Sequence, residues 1–575
     1  MSAGREGKPA APRRSAMVGW YDPRQLLVTG MQTVVSSLFG RRADFRLLQS
    51  LQAEAIDVDY RKEAEVWVDY IADVGDGFNP TYALARTLAR PSLTVRGERG
   101  DEELPRGRIL VMGGDEVYPT PSPARYQERL VMPYSCALPD AQPKAVDLFA
   151  IPGNHDWYDG LASFINLFCH GHRIGGYATP QKRSYFALRF AGGFWLFGVD
   201  VQLDGDLDNR QLEAFCRLEG VARGDRVILC VAEPFWVYEA RRARTGGPPP
   251  PWRSNLERLE DHLAALGATV VLKIAGDLHH YRHHAPRRGG PHLVTAGGGG
   301  AFLHPTHTRP VNEIPIGAPP GERTHELAAQ YPDTKTSFRL SFRNLAFPFY
   351  NPYFGLTTGA AYMILSWVMP PPALAWERPA PEALGLLLRS GFESLALAPS
   401  GLLWVLLILL GFVAFTDADR RAFKWGAGLL HGSAHLAASL LVASVTLHLA
   451  GPEVHTDALY ARLAVSLGGF AGGYLVGGLL MGIYLLIAVT LFGCHDNEAF
   501  SSLKIEGYKN FLRMRLDEKG LTVWALGLRR VPPARAWRWV DQGEGKGHYE
   551  LRPGVPEPAP ELVDRFEIRI DGGSG

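Results

Sequence analysis

The chain has 575 residues, of which 46% are hydrophobic and 21% charged, and its formal net charge is +1. A single core rarely extends beyond about 250–300 residues, so at least two domains are expected. The near-neutral charge argues against a protein that binds nucleic acid through bulk electrostatics. The cysteines, Cys136, Cys169, Cys216, Cys230 and Cys494, show no CxxC spacing, and we expect reduced thiols in a cytosolic setting.

Residues 1–54 are predicted to form an N-terminal tail and one helix. The tail is basic and rich in small residues and proline, a composition typical of disorder. Residues 26–40 are apolar but few, and they precede Arg41 and Arg42. Because no small-residue cleavage motif follows, we interpret them as a helix packed on the protein or lying against a membrane, rather than as an export signal.

Residues 55–305 alternate short apolar strands with amphipathic helical stretches, which predicts an α/β domain. Four of the strands, WVDYIA, RILVM, AVDLFAIP and VVLKIA, run into turns that carry Asp, Asn or His. In order, the turns are Asp73-Val74-Gly75-Asp76, Gly114-Asp115-Glu116-Val117-Tyr118, Gly153-Asn154-His155-Asp156 and Gly276-Asp277-Leu278-His279. Strands that end in such turns place metal ligands along one edge of a sheet, which can assemble a two-metal hydrolytic site.

The next part of the chain is predicted to contain a connector and then membrane helices. Residues 306–351 are polar and irregular, as expected of a connector. In residues 352–493, four apolar segments approach or exceed the roughly 20 residues that cross a bilayer: 352–369, 399–415, 425–450 and 460–493. The first segment could equally be a buried helix, so about four spans are predicted, with three as the alternative. Small residues in the last two segments favour close helix packing.

The basic residues predict which side of the membrane the first domain occupies. One basic cluster lies at residues 420–424, between the second and third segments, and another follows the fourth segment at residues 504–515. The positive-inside rule places both in the cytoplasm. Four spans then leave the domain of residues 55–305 in the cytosol, whereas three spans place it outside. The free cysteines favour four spans, and hence a protein of the cytoplasmic membrane with a cytosolic catalytic domain.

Residues 494–575 are predicted to form a small cytosolic β segment. The stretches FLRMRL and LTVWALGL alternate apolar and polar residues and are separated by Asp-Glu-Lys-Gly, a pattern typical of a hairpin. The hairpin either adds to the sheet of the first domain or covers it.

The motif residues have complementary chemical roles in a two-metal site. Asp115 is placed to bridge two cations, and Asn154 offers a carbonyl oxygen to one of them. Two cations about 3.5–4 Å apart lower the pKa of a shared water and hold a phosphoryl group in line for attack. His155 would stabilise the developing charge or protonate the leaving group. Asp156 is predicted either to orient that imidazole or to cap the following turn.

The order and spacing of the four turns resemble the calcineurin-like metallophosphoesterase superfamily, over residues 65–305. The Gly-Asn-His-Asp turn that contains Asn154 is the most specific piece. The resemblance implies an αββα sandwich with two metals at the strand ends, and hence a phosphoric ester hydrolase. It does not cover the membrane region or the C-terminal segment.

Three positions depart from the superfamily pattern. Gly75 replaces the usual histidine of the first motif, as in the purple acid phosphatase branch, which uses a tyrosine as ligand. Tyr118 stands at the similar position, and Asp76 is the rival candidate for the same metal. Glu233 stands where the family has a histidine near a proline, and Asp277 replaces the first histidine of the last motif.

The resemblance therefore implies two ligand sets that share Asp115. The first set is Asp73, Asp115 and His279, completed by Tyr118 or Asp76. The second set contains only oxygen ligands: Asp115, Asn154, Glu233 and Asp277. Oxygen ligands suit Mn²⁺ or Mg²⁺ better than Zn²⁺, and the first site could take Fe or Mn.

The sequence thus predicts a membrane-anchored, metal-dependent phosphoesterase that hydrolyses a phosphomonoester or phosphodiester through a two-metal-activated hydroxide. Its expected partners are a lipid bilayer and a phosphoester substrate, either lipid-linked or a nucleotide. The alternative is an inactive sensor that binds a phosphate ligand and signals through its helices. A transporter is disfavoured because the spans hold few ionisable residues. His431, His435 and His448 are the exceptions, and intramembrane histidines are functional candidates.

Overall fold

The chain divides into two compact units. The computed structural model describes residues 11–35, 56–97, 100–139, 145–201, 206–244, 254–316, 323–369, 382, 385–386, 389–393, 399–418, 420–451, 458–543 and 546–570. Unit 1 comprises Met1–Val18, Thr29–Thr334 and Ile505–Gly575, and unit 2 comprises Gly19–Val28 and Lys335–Lys504. The segments on either side of the apolar helices therefore belong to one unit, rather than to separate domains bounded at residues 305 and 494.

The first sheet of unit 1 has eight strands. In spatial order they are Glu561–Arg569, Gly520–Leu528, Lys509–Asp517, Val66–Ile71, Ile109–Met112, Val146–Ala150, Tyr177–Ala178 and Arg173–Ile174. The strands Val66–Ile71, Ile109–Met112 and Val146–Ala150 run parallel. Nearly all their residues are buried, as expected of parallel strands that are covered on both faces.

The second sheet has nine strands. In spatial order they are Asp57–Asp59, Phe186–Arg189, Phe194–Gly198, Arg226–Cys230, Thr269–Ala275, His292–Ala296, Tyr281–Pro286, Arg323–Tyr331 and Glu313–Ile316. The last two strands form an edge hairpin within residues 306–351, where the sequence predicts a connector. Glu313–Ile316 is the edge strand and is only four residues long, and Arg323–Tyr331 carries mostly polar side chains, so neither shows the long apolar run that marks a buried strand.

The two sheets pack face to face and carry helices on their outer faces. The inner core joins apolar residues of both sheets, among them Val68, Phe149, Leu196, Ile228 and Met514. The helices Phe78–Leu88, Pro123–Tyr126, Met132–Ala137 and Ala162–Phe168 cover the eight-stranded sheet, and Asn209–Cys216, Phe235–Arg244 and Ser254–Ala265 cover the other. Two smaller ribbons pair Ser92–Gly97 with Gly100–Pro105 and Trp537–Gly543 with Lys546–Leu551. The predicted mixed α/β fold is confirmed.

The C-terminal segment adds strands to the eight-stranded sheet. Lys509–Asp517 pairs with Val66–Ile71 on one side and forms a hairpin with Gly520–Leu528 on the other. The fully buried Arg513 donates to both carboxylate oxygens of Asp69, at 2.7 and 2.9 Å, and to the carbonyl of Leu104 at 2.9 Å. Of the two arrangements that the sequence leaves open, the hairpin therefore adopts the first.

Unit 2 consists of apolar helices. Its main ones are Pro352–Val368, Pro399–Phe415, Arg421–Ala450, Ala458–Gly472, Gly478–Ile487 and Asp496–Ser501, with π-helical turns at Gly473–Gly477 and Ala488–Phe492. Among the described residues, two helices are long and apolar enough to cross a membrane, Arg421–Ala450 and Leu459–Phe492, whereas Ser400–Phe415 is shorter. Two of the predicted spans therefore reach that length. The N-terminal helix spans Pro23–Val35, and residues 36–40 lie outside the described residues.

The small residues of the last helix allow close helix packing, as predicted. A Cβ added to Gly473 would lie 2.7 Å from the Cβ of Tyr362, and one added to Gly477 would lie 2.6 Å from the Cβ of Thr358. The hydroxyl of Thr358 also donates to the carbonyl of Gly473 at 2.9 Å. Glycine is therefore needed where this helix meets Pro352–Val368.

Because Arg513 neutralises the buried Asp69, we predict that Arg513→Ala lowers the free energy of unfolding of unit 1 by about 3–5 kcal/mol. Thermal or urea unfolding of the full chain measures the effect. Arg538→Ala is the matched control, since Arg538 pairs with Glu550 at an exposed site, where such pairs contribute about 0–1 kcal/mol. The double variant Asp69→Leu/Arg513→Met should recover most of the stability. Equal effects of Arg513→Ala and Arg538→Ala would contradict the assigned role.

Candidate metal centre

The predicted site residues follow strands whose carboxyl ends share one edge of the two-sheet sandwich. Asp73 follows Val66–Ile71, Asp115 follows Ile109–Met112, and Asn154 follows Val146–Ala150. Glu233 and Asp277 follow two neighbouring parallel strands of the other sheet, Arg226–Cys230 and Thr269–Ala275. Parallel strands bring turns that are distant in sequence to a common edge, which is where open α/β sheets bind their ligands.

Three aspartates at this edge adopt left-handed backbone conformations. The φ angles are 60° at Asp73, 56° at Asp115 and 64° at Asp277. Such a conformation costs a residue other than glycine about 1–3 kcal/mol, and it persists where the surrounding structure imposes it, typically at functional sites. The same unusual backbone at the ends of three strands turns each carboxylate toward the shared edge and indicates a common role.

The hydroxyl of Tyr118 contacts three other candidate ligands. It lies 2.9 Å from Oδ1 of Asp73, 3.0 Å from Oδ2 of Asp115 and 3.0 Å from Nε2 of His279. Nε2 of His279 is in turn 3.4 Å from Oδ1 of Asp73. These four residues, which come from three separate turns of the sequence, therefore meet at one point.

The spacing of these four donor atoms suits a single cation. Two ligand atoms about 2.1 Å from a cation and at right angles to each other lie about 3.0 Å apart. The separations of 2.9–3.4 Å between the oxygen and nitrogen atoms match such polyhedron edges. Among the described residues, no three His, Cys, Asp or Glu side chains by themselves form a group that could hold a metal ion. The four donor atoms are linked through the phenol oxygen of Tyr118, a residue type other than His, Cys, Asp and Glu.

Asp76, the rival to Tyr118, is directed elsewhere. One carboxylate oxygen accepts a hydrogen bond from the backbone N–H of Val18 at 2.8 Å, and the other accepts one from the N–H of Phe302 at 3.1 Å. Arg129 donates to the Asp76 carbonyl. The fully buried Asp76 thus ties three segments together behind the cluster, and of the two residues only Tyr118 contacts Asp73 and Asp115.

The Gly-Asn-His turn packs directly on Asp115. The N–H of His155 donates to Oδ1 of Asp115 at 2.9 Å, and a Cβ on Gly153 would overlap that same oxygen, so glycine is required there. Oδ1 of Asn154 is buried and has no hydrogen-bond partner among the described residues. An unpartnered buried carbonyl oxygen beside a carboxylate is the kind of atom that a cation would satisfy.

Asp156 does not orient the His155 imidazole. Its carboxylate accepts hydrogen bonds from the N–H groups of Gly153 at 2.9 Å and Glu116 at 3.3 Å, and from the hydroxyl of Tyr126. It therefore shapes the turn, which is the second of the roles that the sequence leaves open. The imidazole is held instead by the carbonyl of Pro119, 2.7 Å from Nδ1 of His155.

Asp277 and Glu233 lie on the other side of the cluster. The N–H of Asp277 donates to Oδ2 of Asp73 at 2.9 Å, while its own carboxylate accepts a hydrogen bond from Tyr238. Glu233 is partly exposed at the start of the helix Phe235–Arg244, and its charge helps to raise the pKa of Tyr238. Asp277 thus contacts the first ligand set through its backbone, and Glu233 is linked to it electrostatically through Tyr238.

The imidazole of His279 is fixed from three sides. Its Nδ1 lies 2.7 Å from the carbonyl of Phe302, which places the proton on Nδ1 and leaves Nε2 to face Asp73 and Tyr118. The ring of His304 stacks on it at 4.1 Å, and Nδ1 of His304 accepts the His279 N–H at 3.3 Å. Metal-binding histidines usually have such a second partner, which orients the ring.

Burial makes it costly to keep the carboxyl and imidazole groups of the cluster charged. It raises the pKa of Asp73 and of Asp115 well above the ordinary value, and the neighbouring charges of Asp277 and Asp73 respectively add to the effect. Burial lowers the pKa of His155 to about 4 and that of His279 to about 3, so both imidazoles are neutral near pH 7. A cation would relieve the repulsion among the carboxylates, and neutral imidazole is the form that binds one.

Sequence reasoning missed Lys509, which stands close behind the cluster. It is fully buried at the start of a C-terminal strand and donates to the carbonyls of Ala301 and Ile505. Burial lowers the pKa of Lys509 to about 8, against the opposing charges of Asp76, Glu506 and Asp73. No motif marks this residue, because its proximity to Asp73 depends on the pairing of strands from opposite ends of the chain.

Comparison with known proteins does not assign this chain to a family. No protein-family model matches it, and no curated protein matches it. Solved structures with some similarity include GAP50, the anchor in the inner membrane complex of Plasmodium, at 12% identity over 42% of this chain and 74% of that chain, with a TM-score of 0.29. They also include the purple acid phosphatase PPD1 from yellow lupin (Lupinus luteus) seeds, at 14% identity over 42% and 46% of the respective chains, with a TM-score of 0.28.

Because burial and like charge raise the pKa of Asp115, its ionised form destabilises the metal-free fold. We predict that Asp115→Asn raises the melting temperature of unit 1 in chelator at pH 7 by about 1–2 °C, the shift that about 1 kcal/mol produces in a unit of about 400 residues. The gain in melting temperature should vanish below about pH 3.9, the pKa of an aspartate in the unfolded chain, because the wild-type carboxyl is then protonated in both the folded and the unfolded state.

The exposed Asp261 provides the control for this prediction, and Asp261→Asn should leave the melting temperature unchanged. Differential scanning calorimetry at pH 7 and near pH 3 gives the comparison. If Asp115→Asn instead lowered the melting temperature of the metal-free protein at pH 7, the carboxylates would not repel one another as proposed.

Proposed function

We propose that unit 1 is a metal-dependent phosphoesterase that hydrolyses a phosphomonoester or phosphodiester, and that the helices of unit 2 anchor it to a membrane. The observation that carries the proposal is the convergence of Asp73, Asp115 and His279 on the hydroxyl of Tyr118. The left-handed aspartates and the unpartnered Oδ1 of Asn154 support it independently. The motif resemblance, with its calcineurin-like order of turns, supplies the reaction class.

The donor types would suit two divalent cations that share Asp115, and the distances between donor atoms support the first of these two sites. Asp73, Asp115, Tyr118 and His279 would hold the first, and Asp115, Asn154, Glu233 and Asp277 the second, for which Mn²⁺ or Mg²⁺ suits the oxygen donors. When bound, such cations supply the Lewis acidity that polarises a phosphoryl group and makes water nucleophilic at neutral pH.

His155 is the residue that would exchange a proton with the substrate. Because Nδ1 of His155 lies 2.7 Å from the carbonyl of Pro119, its proton is placed there and Nε2 would be the atom that exchanges a proton with the substrate. The ring of Tyr118, 4.4 Å away between centroids, restricts its rotation. The imidazole is therefore positioned before substrate binds, next to the turn that carries Asn154.

The topology of the chain favours a cytosolic active site. The chain leaves unit 1 at residue 334 and re-enters it at residue 505, so the number of membrane crossings in between has to be even. The chain crosses twice if only Arg421–Ala450 and Leu459–Phe492 span the membrane, and four times if the two shorter segments do so as well. In either case, unit 1 lies on the same side as Arg420, Arg421 and Lys424. The positive-inside rule makes that side cytoplasmic.

If the phenol oxygen of Tyr118 binds a metal ion, Tyr118→Phe should affect both metal content and activity. The variant should lose bound metal, and its turnover of bis(p-nitrophenyl) phosphate with Mn²⁺ should fall by more than the roughly 10–100-fold that loss of an outer partner causes. Tyr134→Phe is the matched control, because the buried hydroxyl of Tyr134 has no hydrogen-bond partner among the described residues. Elemental analysis and steady-state kinetics of the purified full chain measure both quantities.

The same experiment separates the proposal from its alternative. Bound metal without turnover of either the mono- or the diester in the wild type would favour a sensor that binds phosphate. Wild-type protein that takes up no metal would refute the metal centre, and full metal content in Tyr118→Phe would remove the phenol from the ligand set. Glu233→Ala and Asp277→Ala, which should each lose metal and activity together, test the second site.

A cytosolic unit 1 predicts opposite labelling of two introduced cysteines in intact cells. Asp261→Cys, on the surface of unit 1, should react with a membrane-impermeant maleimide only after permeabilisation. Leu459→Cys, exposed at the far end of the last span, should react in intact cells. Replacement of the partly exposed Cys216 by alanine removes background. Labelling of Asp261→Cys in intact cells would place the active site outside.

A further inference from the structure

Unit 2 contains a group of polar side chains inside apolar helices. His431 and His435 are only 4% and 3% exposed, and they lie in Arg421–Ala450, one of the two helices that are long and apolar enough to cross a membrane among the described residues. Tyr362 of Pro352–Val368 and Tyr484 of Gly478–Ile487 reach the same place. Ionisable side chains inside membrane helices are costly to insert, so their collection at one point requires a functional reason.

The two histidines point the same ring nitrogen at each other. They are separated by one helical turn, and their Nε2 atoms lie 3.2 Å apart. A neutral imidazole has one bare nitrogen, so two facing nitrogens need a shared proton or a shared cation between them. Two Zn–N bonds of about 2.0–2.1 Å that diverge at a near-tetrahedral angle place their nitrogens about 3.2–3.4 Å apart. The distance between the two Nε2 atoms therefore matches that of two imidazoles that chelate one metal ion.

The surroundings hold this arrangement in place. The hydroxyl of Tyr362 lies 3.1 Å from Nδ1 of His435, the outer contact that orients a metal-binding histidine. Phe412 stacks on His435 at 4.7 Å and lies 4.2 Å from His431. The ring of Tyr484 stacks on His431 at 3.9 Å. Both imidazoles are thus fixed by neutral aromatic groups before any ion binds.

The chemistry of the pair selects the class of cation. Its donors are imidazole nitrogens, which suit Zn²⁺, Cu²⁺ and Ni²⁺, whereas Mg²⁺ and Ca²⁺ prefer oxygen. The phenol of Tyr484 links the pair to His495, 3.0 Å away, whose φ of 60° is again left-handed. Two π-helical turns, Gly473–Gly477 and Ala488–Phe492, flank the helix of Tyr484, and such turns frequently accompany functional sites.

We propose that His431 and His435 chelate a transition-metal ion within unit 2, at a site separate from the metal centre of unit 1. The site takes a borderline cation such as Zn²⁺ or Cu²⁺ through the two Nε2 atoms. With a cation on Nε2, the His435 proton would sit on Nδ1, where the phenol oxygen of Tyr362 at 3.1 Å would accept it. The proposal does not depend on phosphoesterase activity, because none of its residues belongs to unit 1.

Copper EPR of the purified full chain tests the proposal. An Asp73→Asn/Asp115→Asn background removes the metal centre of unit 1, whose first ligand set contains a single histidine. One equivalent of Cu²⁺ should then give superhyperfine splitting from two imidazole nitrogens. His435→Gln should lose that pattern, and His431→Gln should lose it as well. His448→Ala, at an exposed position of the same helix, is the matched control and should keep it.

Metal content provides a second, independent measurement. The number of zinc ions bound per chain should be lower by one in His431→Gln and in His435→Gln than in their background. The melting temperature of each variant in chelator shows whether it is folded. An unchanged zinc content in both variants would overturn the proposal. So would a histidine ¹⁵N spectrum of zinc-treated protein that shows one proton shared between the two Nε2 atoms.

Discussion

The buried carboxylates of Asp73 and Asp115 both contact one phenol oxygen, the partly buried Asp277 lies beside them, and this concentration of negative charge is the constraint on which unit 1 depends. Asp73, Asp115 and Asp277 each combine a left-handed backbone with burial that raises the pKa of the carboxyl group. Backbone strain of about 1–3 kcal/mol per residue and mutual repulsion both oppose the fold. Such a cluster persists only because the two-sheet core supplies a large excess of apolar burial.

The supporting groups around the cluster are mostly backbone atoms. The carbonyls of Pro119 and Phe302 set the two imidazoles, and the N–H of Asp277 holds Asp73. Backbone groups have fewer rotatable bonds than long side chains, so they hold the imidazoles and Asp73 in place at a smaller entropic cost. The closeness of Gly153 to Asp115 serves the same end, since any side chain there would displace the carboxylate.

Local patterns in the sequence predicted the parts of the fold that depend on neighbouring residues. The α/β alternation, the hairpin after residue 508 and the four metal-type turns all depend on short-range signals, and the structure contains them. The choice between Tyr118 and Asp76 was beyond the sequence, because Asp76 binds backbone groups from residues 18 and 302. Lys509 and the edge strand Glu313–Ile316 were missed for a related reason: their places are set by pairing with distant strands rather than by their own composition.

The interleaving of the two units has a consequence for biogenesis. Arg513 and its partner Asp69 are separated by 444 residues, so Val66–Ile71 has an unpaired edge until nearly the whole polypeptide has left the ribosome. Unpaired strand edges attract other chains, and distant pairings form slowly. Synthesis of the apolar helices of unit 2 therefore has to finish before the eight-stranded sheet of unit 1 can close, which makes the folding of unit 1 dependent on a segment that does not belong to it.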